Sequence, residues 1–195
     1  MWPEPVTLSS THATLAPLSQ EQASDLSEAA ADLQGLWYTM IPTADGMAAE
    51  ITRRLDLQAQ GAMLPFAILD RAGRAVGMTT YMNIDAANRR VEIGSTWLGK
   101  SAQRGPVNTE CKLMLLRHAF EVLDCIAVEF RTHFMNVQSR RAIERLGAKF
   151  DGVLRHHMIM ANGSLRDTAV YSIIPGEWPA VRANLEWQLA KPRAV

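Results

Sequence analysis

The sequence predicts a single α+β domain with a mixed sheet, and two observations support this. The 195 residues are 48% apolar and 21% charged, which is typical of a globular protein that buries one substantial core. The predicted elements follow one another as two helices, three strands, a helix, a strand, a helix and two strands. This order fits an α+β or mixed-sheet domain better than a regular alternation of strand and helix.

The first two helices are predicted from capping and from apolar periodicity. Ser19 can cap a helix, and Gln22 stands three residues later, as in a capping box. A second helix is expected where apolar residues recur at every fourth position, at Met47, Ile51 and Leu55.

The middle of the chain changes to strand patterns. The stretch 66–78 predicts a hairpin with its turn near Gly73. A strand is expected over 91–98, a long apolar-rich helix over 108–123, and a short strand over 126–131.

The last third is predicted as a helix, a hairpin and a further helix. Asn136 can cap a helix that ends near 146, and Gly147 can take the left-handed closing position. Two strands are expected over 152–174 around an Asn-Gly turn, followed by a terminal helix over 176–190.

Charge and cysteine usage narrow the class of protein. The 20 basic and 20 acidic residues cancel, which argues against a general attraction to nucleic acid or to anionic membranes. No apolar stretch approaches the ~18 residues of a membrane helix, the first residues do not resemble a secretory leader, and the two cysteines lack metal-ligand spacing. We therefore expect a cytoplasmic protein without a bound metal, and leave open whether it forms a homodimer.

The stretch 94–101 matches the phosphate-loop pattern of nucleotide kinases, Gly-x-x-x-x-Gly-Lys-Ser. A phosphate loop needs a helix that opens at the Lys-Ser pair. Here Ser95 to Leu98 continue a strand, and Pro106 would fall inside the required helix at a cost of about 3 kcal/mol. We therefore reject the kinase alternative.

A better phosphate site is predicted a few residues later, between the strand and the long helix. Gly105 lets the backbone approach a ligand closely, and the helix N-terminus offers unpaired amides. Arg104 adds positive charge, so a pyrophosphate would be held well. The alternative is an ordinary capped helix start.

The combined segments resemble one enzyme family. The stretches 91–98, 103–105 and 108–110 resemble motif A of the GCN5-related N-acetyltransferases (GNAT). Asn136 to Ala148 is similar to the second signature of their RimJ/RimL-like branch, whose best-known members acetylate the N-terminal amine of ribosomal proteins. Further matches to that branch are Leu15-Ala16-Pro17-Leu18, Arg166-Asp167-Thr168 and Tyr171-Ser172.

The resemblance implies the GNAT fold, a central mixed, mostly antiparallel, splayed sheet flanked by helices, over residues 6–176, with a C-terminal helix and tail over 177–195. Motif A departs from the family pattern, because Asn108 holds the second glycine position; Asn108 can itself cap the helix. The implied donor is acetyl-coenzyme A (acetyl-CoA), held along 91–123 and at the second signature. The residues implied to bind it are Thr96, Trp97, Leu98, Gln103, Arg104, Gly105, Val107, Asn108, Thr109, Asn136, Ser139 and Arg140.

The resemblance also implies direct attack of an amine on the thioester within a ternary complex. Free backbone groups near Trp97 and Leu98 would pair with the pantetheine arm and polarise the thioester carbonyl. Many members place a tyrosine acid where this chain has Ile143. Ser139 is the candidate substitute, or else it only supports the helix start.

Glu92 is the candidate for relaying the amine proton through water; a solvated strand glutamate is the alternative. His133, His156 and His157 are further candidate bases, because histidine titrates near neutrality. The two cysteines are expected to pack in the core.

The acceptor would enter between the first two helices and the hairpin. The residues expected to line its pocket are Trp37, Tyr38, Met40, Met78, Tyr81 and Met82. The predicted acceptor is a primary amine of a small molecule or a peptide N-terminus. The missing tyrosine motivates an alternative, a degenerate module that binds acetyl-CoA without turnover.

Overall fold

An open, mostly antiparallel sheet runs through the computed structural model, which describes residues 2–33, 35, 37–39 and 41–191. The strands in this part of the chain are β1 (Leu8–Ser9), β2 (Thr14–Pro17), β3 (Met63–Leu69), β4 (Ala75–Asp85), β5 (Arg90–Leu98), β6 (Ala127–His133), β7 (Lys149–Ile159) and β8 (Leu165–Ile173). Their order across the sheet is β1-β2-β3-β4-β5-β6-β8-β7. β5 and β6 run parallel, and the other described neighbours run antiparallel.

Helices cover both faces of this sheet. They are α1 (Ala23–Ala31), α2 (Met47–Ala59), α3 (Val107–Arg117), α4 (Val137–Leu146) and α5 (Trp178–Ala190). α1 and α2 pack on one face, in an apolar cluster that contains Leu26, Met47 and Met78. α3, α4 and α5 contribute to the larger core on the other face. Among the described residues, no helix is long and apolar enough to cross a membrane.

The α+β prediction and most predicted elements are confirmed, and the local signals act as expected. The backbone N–H of Ser19 donates to Gln22 Oε1 at 2.7 Å, which is one half of a capping box. The side chain of Asn136 accepts from the backbone N–H of Ser139 at 3.0 Å, and Gly147 closes α4 at φ +103°. β1 and β2 were missed.

The C-terminal helix α5 shares the main core. Trp178, Val181 and Leu185 are at most 6% exposed and lie in the same cluster as α3. Trp178 Nε1 also donates to Glu121 Oε1 at 2.8 Å. The segment predicted as a unit of its own after residue 176 is therefore packed against the rest.

The pairing of β5 and β6 positions the site. The two strands are in register from Arg90–Ala127 to Glu92–Glu129, and no pairing is found beyond Glu92. In β5, Ser95 has φ +49°, and the register with β4 shifts nearby, between Met78 and Thr80. β5 therefore bends away from β6, and the two strands enclose a gap.

The same strand confirms the rejection of the phosphate loop. Gly94 to Leu98 belong to β5, and Lys100–Ala102 form a short 3-10 turn. α3 begins only at Val107. A nucleotide phosphate would therefore meet a strand where the pattern requires a loop.

Candidate active site

A cavity of about 410 Å³ occupies the gap between β5 and β6. Ten of the residues considered from the sequence line it: Tyr38, Met82, Glu92, Thr96, Trp97, Asn108, His133, Asn136, Ser139 and His157. The gap thus brings together one end of the predicted cofactor site, both candidate catalytic residues and part of the predicted acceptor site.

Glu92 lies buried in the cavity wall, at 5% exposure. Its Oε2 accepts from Asn83 Nδ2 at 2.6 Å and lies 3.5 Å from Arg131 Nε. Burial raises the pKa of this carboxyl, although the Asn83 hydrogen bond and the Arg131 charge oppose the rise. The alternative of a solvated strand glutamate is therefore wrong, and Glu92 is a stronger base than an exposed glutamate.

Gly94 explains how the Glu92 carboxylate fits. A Cβ at Gly94 would lie 2.9 Å from Glu92 Oε1 and 2.7 Å from Met82 Sδ. Any larger residue would push both side chains aside. The glycine that looked like part of a phosphate loop makes room for a carboxylate.

Ser139 and Asn136 lie at the start of α4, across the gap from β5. Asn136 caps the helix through its Oδ1, which accepts from the backbone N–H of Ser139, as predicted. The Ser139 hydroxyl has no hydrogen-bond partner in the described part of the chain, and Ser139 lines the cavity. Ile143 lines it one turn later, where the family tyrosine was expected. The cavity wall thus contains a hydroxyl that makes no hydrogen bond within the described chain.

The start of α3 differs in detail from the prediction. Pro106 is the N-cap residue and no side chain caps the helix, so the expected cap by Asn108 is wrong. Asn108 is the second helical residue and lines the cavity instead. Because proline fixes its own φ and begins the helix, the amides of the first turn remain free for an anion. Arg104, exposed and at φ +57°, precedes them.

One predicted cofactor contact is corrected, and another is partly occupied. The Leu98 carbonyl already accepts from Gln103 Nε2 at 2.7 Å, which leaves one of its two lone pairs for a pantetheine arm. Arg140 Nε donates to the Tyr171 hydroxyl at 2.9 Å, and its guanidinium lies 4.5 Å from the Phe134 ring centroid. Arg140 therefore braces α4 against β8 rather than lining the cavity. Gly105, Val107 and Thr109 lie at the start of α3, outside the cavity lining.

Only part of the predicted acceptor pocket lines the cavity. Tyr38 and Met82 line the cavity, and Trp37 packs edge-on against Tyr38. Met78 and Tyr81 are 0% exposed and do not line it. Met40 lies outside the described residues.

The two errors have separate causes. Neighbouring residues of a strand point to opposite faces, so Tyr81 cannot share a wall with Met82. Its hydroxyl donates to the Leu115 carbonyl of α3 at 2.5 Å. Met78 shares the face of Met82 but is covered by the cluster of α1 and α2.

Of the three candidate histidines, two line the cavity and one does not. His133 lines the cavity at 4% exposure, and its pKa is lowered by burial and by the charge of Arg166. His157 also lines it, with Nδ1 3.1 Å from Thr168 Oγ1. His156 does not; its backbone N–H donates to Asp167 at 2.8 Å.

Both cysteines are buried, and burial raises the pKa of Cys111 to about 12 and that of Cys125 to about 11. They remain protonated thiols near neutral pH, which fits core packing.

Lys112 is a site residue that sequence reasoning missed. Its Nζ lines the same cavity from α3 and donates to Thr96 Oγ1 at 2.7 Å. Burial lowers its pKa to about 8, and within the described chain no carboxylate lies within ion-pair distance. A lysine inside the apolar run 111–116 was the available signal, but its partner Thr96 lies sixteen positions earlier. Arg131 and Arg166, which also line the cavity, were missed as site residues.

Comparisons with known proteins agree with this architecture. A family model described as "Acetyltransferase (GNAT) domain" matches residues 12–149. The Bacillus subtilis (strain 168) protein named "Putative ribosomal N-acetyltransferase YdaF" is 33% identical over 107 residues. That match covers 54% of this chain and 57% of YdaF, so it spans little more than half of the relative.

Two solved structures extend the likeness to the whole fold. A GCN5-related N-acetyltransferase from Brucella melitensis is 33% identical, with a TM-score of 0.84 and coverage of 96% of this chain and 87% of that one. RimJ of Mycobacterium smegmatis, solved in complex with CoA-disulfide, has a TM-score of 0.77 and coverage of 96% and 95%. At 23% identity, RimJ supports the fold alone.

Proposed function

Because the chain belongs to the GNAT family of acetyltransferases, we propose that it transfers an acetyl group from acetyl-CoA to a primary amine of a small molecule or a peptide N-terminus. The gap between β5 and β6 carries this proposal. It holds a buried carboxylate, Glu92, and an unpaired hydroxyl, Ser139, in the walls of one cavity.

The donor set fits acetyl-CoA. Beyond Glu92 the edge of β5 that faces β6 has no strand partner in the described chain, so its backbone groups can pair with the amides of a pantetheine arm. The first turn of α3 offers amides to a pyrophosphate, and Arg104 adds charge. Asn108 and Asn136 line the cavity between these sites. The bound donor would supply the acetyl thioester.

Glu92 would accept the proton of the attacking amine, directly or through one water. An amine must lose its proton to form the N–C bond, and a buried carboxylate with a raised pKa is suited to take it. Arg131, whose Nε lies 3.5 Å from Glu92 Oε2, favours the ionised form of this carboxyl, which is the form that takes a proton. The backbone at the Ser95 bulge would polarise the thioester carbonyl.

Ser139 would return a proton to the sulfur as the C–S bond breaks. Its hydroxyl then recovers a proton from solvent while Glu92 releases to solvent the proton it accepted, so the overall reaction moves one acetyl group to the amine and one proton to the sulfur. The family tyrosine is absent, and among described residues with a hydroxyl in this wall Ser139 alone stands at the start of α4.

The acceptor is not a strongly cationic tail. Among the described residues, the cavity lining has one acidic residue, Glu92, and three cationic ones: Lys112, Arg131 and Arg166. A small amine or a single peptide end suits this balance. The name of the relative, "Putative ribosomal N-acetyltransferase YdaF", supports the peptide end.

Thiol release from acetyl-CoA in the presence of amines and short peptides tests the proposal, with the acetylated product identified by mass spectrometry. We expect saturable thiol release and one acetyl group per product. Calorimetric binding of acetyl-CoA without release for any acceptor would instead support the non-catalytic module. Absence of binding would refute both.

A further inference from the structure

Two buried N–H groups in the cavity lack a hydrogen-bond partner. Trp97 Nε1 and His133 Nε2 are unpaired within the described chain, and their residues are 5% and 4% exposed. Both residues line the gap, Trp97 from β5 and His133 from the end of β6. Buried polar groups are paired in the great majority of cases, because an unpaired one costs about 1–3 kcal/mol. A water molecule or a ligand atom is therefore expected at each of them.

The hydrogen bonds of His133 fix which of its nitrogens donates. The backbone N–H of Met135 donates to His133 Nδ1 at 3.1 Å, so Nδ1 carries a lone pair. The proton of the neutral ring then lies on Nε2. Nε2 is thus a donor, as the indole Nε1 of Trp97 always is.

Both donors lie on the acceptor side of the sheet. Trp97 belongs to the cluster of α1 and α2. His133 packs against Trp37 and Tyr38, with ring centroids 5.2 and 5.8 Å apart. Glu92 lies on the same face, because its neighbours Val91 and Ile93 point into the core of the opposite face. The two donors therefore line the same cavity as the group that would accept the amine proton.

We propose that Trp97 and His133 bind a carbonyl or carboxylate oxygen that the acceptor carries next to its amine. This inference rests on the proposed acetyl transfer and adds to it a site that selects the acceptor. A carbonyl oxygen has two lone pairs and a carboxylate has two oxygens, so such a group offers acceptor positions for two donors in the same cavity. The surrounding charge agrees: Arg166 and Lys112 line the same cavity, and Glu92, whose charge acts on Arg166, is the acidic lining residue among those described.

The consequence is discrimination between amines. An acceptor with the oxygen pairs both donors, whereas an alkylamine of the same shape leaves them buried and unpaired. A site built to bond a polar group rejects analogues that lack it more strongly than an apolar pocket rejects a missing methylene. A free amino acid and a peptide end both present such an oxygen, and they differ in its charge.

Two substitutions at one position separate the donor from the rest of the ring. The amide of His133→Asn reaches the place of Nδ1 and can still accept from Met135, but nothing replaces Nε2. The longer His133→Gln places its amide nitrogen near Nε2 and restores the donor. His157→Asn is the matched control, because His157 lines the same cavity and bonds Thr168 through Nδ1. Trp97→Phe removes the other donor and keeps an aromatic ring.

The readout is kcat/KM for alaninamide, alanine and sec-butylamine, each expressed relative to wild type so that intrinsic amine reactivity cancels. We expect His133→Asn and Trp97→Phe to lower the preference for alaninamide over sec-butylamine about 10-fold, mainly through KM. His133→Gln and His157→Asn should keep it. A comparison of kcat/KM for alanine with kcat/KM for alaninamide shows whether the site prefers a carboxylate or a neutral carbonyl.

Equal losses for all three amines would overturn the inference, since a merely structural role moves every acceptor alike. So would unchanged preference in His133→Asn, the result expected if water alone bonds the donors. Melting temperatures identify a variant that fails to fold. If wild type releases no thiol with any amine, the proposed function fails; calorimetric titration of the three amines with CoA present then decides the binding site separately.

Discussion

Replacing Glu92 with glutamine tests the proposed proton acceptor with little change of shape. Glutamine can still accept from Asn83, and it still fills the space over Gly94. Arg131 keeps Glu129 at 2.7 Å, and Arg166, on which the Glu92 charge also acts, keeps its hydrogen bond to Thr168 Oγ1 at 2.9 Å. Loss of a positioned general base costs about 10²–10⁴ in rate, which is about 2.7–5.5 kcal/mol of transition-state stabilisation. We expect kcat/KM of Glu92→Gln to fall by that factor.

The pH dependence gives a second measurement on the same variant. A base acts when deprotonated, so wild-type kcat/KM should rise with pH through the Glu92 pKa, which burial places above the usual glutamate range. In Glu92→Gln the pH profile of kcat/KM should lack this rise. It should keep only the rise that comes from deprotonation of the free amine. Glu129→Gln, one strand away and bonded to Arg90 and Arg131, is the control for losing a negative charge: it should keep the Glu92 rise and move it to lower pH, because the Glu129 charge helps to raise the pKa of Glu92.

Stability should move in the opposite direction to activity. A carboxyl with a raised folded-state pKa contributes stability fully below its unfolded pKa and loses it as pH rises through the folded pKa. At neutral pH the ionised Glu92 therefore lowers the free energy of unfolding, and Glu92→Gln should melt at the same or a higher temperature. A variant with kcat/KM within twofold of wild type and an unchanged pH profile would refute the assignment.

Three further substitutions have definite outcomes. Ser139→Ala should lower kcat about 10–100-fold with little change in KM for acetyl-CoA, as measured by thiol release; full turnover would exclude it as the acid. Gly77→Ala should lower the free energy of unfolding in urea by about 1–3 kcal/mol, because its Cβ would lie 2.3 Å from the Trp97 carbonyl oxygen; an unchanged midpoint would contradict this. Lys112→Met should remove a pH-dependent gain in stability. Because burial lowers the pKa of Lys112 to about 8, the free energy of unfolding of wild type should rise relative to that of the variant as pH increases from about 8 to the unfolded value near 10.4, as measured by urea titrations. A difference that does not vary with pH would contradict the buried-amine assignment.

Local signals predicted most of the fold. Capping at Ser19 and Asn136, the four-residue spacing in α2 and the left-handed glycine at Gly147 depend on neighbours within a few residues, and the structure shows each of them. β1 and β2 escaped prediction because they are two and four residues long. They are held by pairing with β3, which a sequence pattern does not show.

The site was only partly predictable, because it depends on which elements meet. Motif positions located Glu92, Asn136 and Ser139 at the cavity. A lysine inside the apolar run 111–116 and a histidine near a strand end are local signals, but neither shows which groups it meets, since their environment comes from elements distant in sequence. The error at Tyr81 was avoidable, because strand alternation alone separates it from Met82.

The gap that ends β5–β6 pairing at Glu92 divides the sheet into two blocks, β1–β5 with α1 and α2 and β6–β8 with α4. A molecule that bonds both sides of the gap ties the blocks together and binds the folded chain only. Its binding adds RT ln(1 + [L]/Kd) to the unfolding free energy, about 2.7 kcal/mol at a hundredfold excess over Kd. In a cell that degrades unfolded chains, the amount of this protein would then follow the supply of its own acetyl donor.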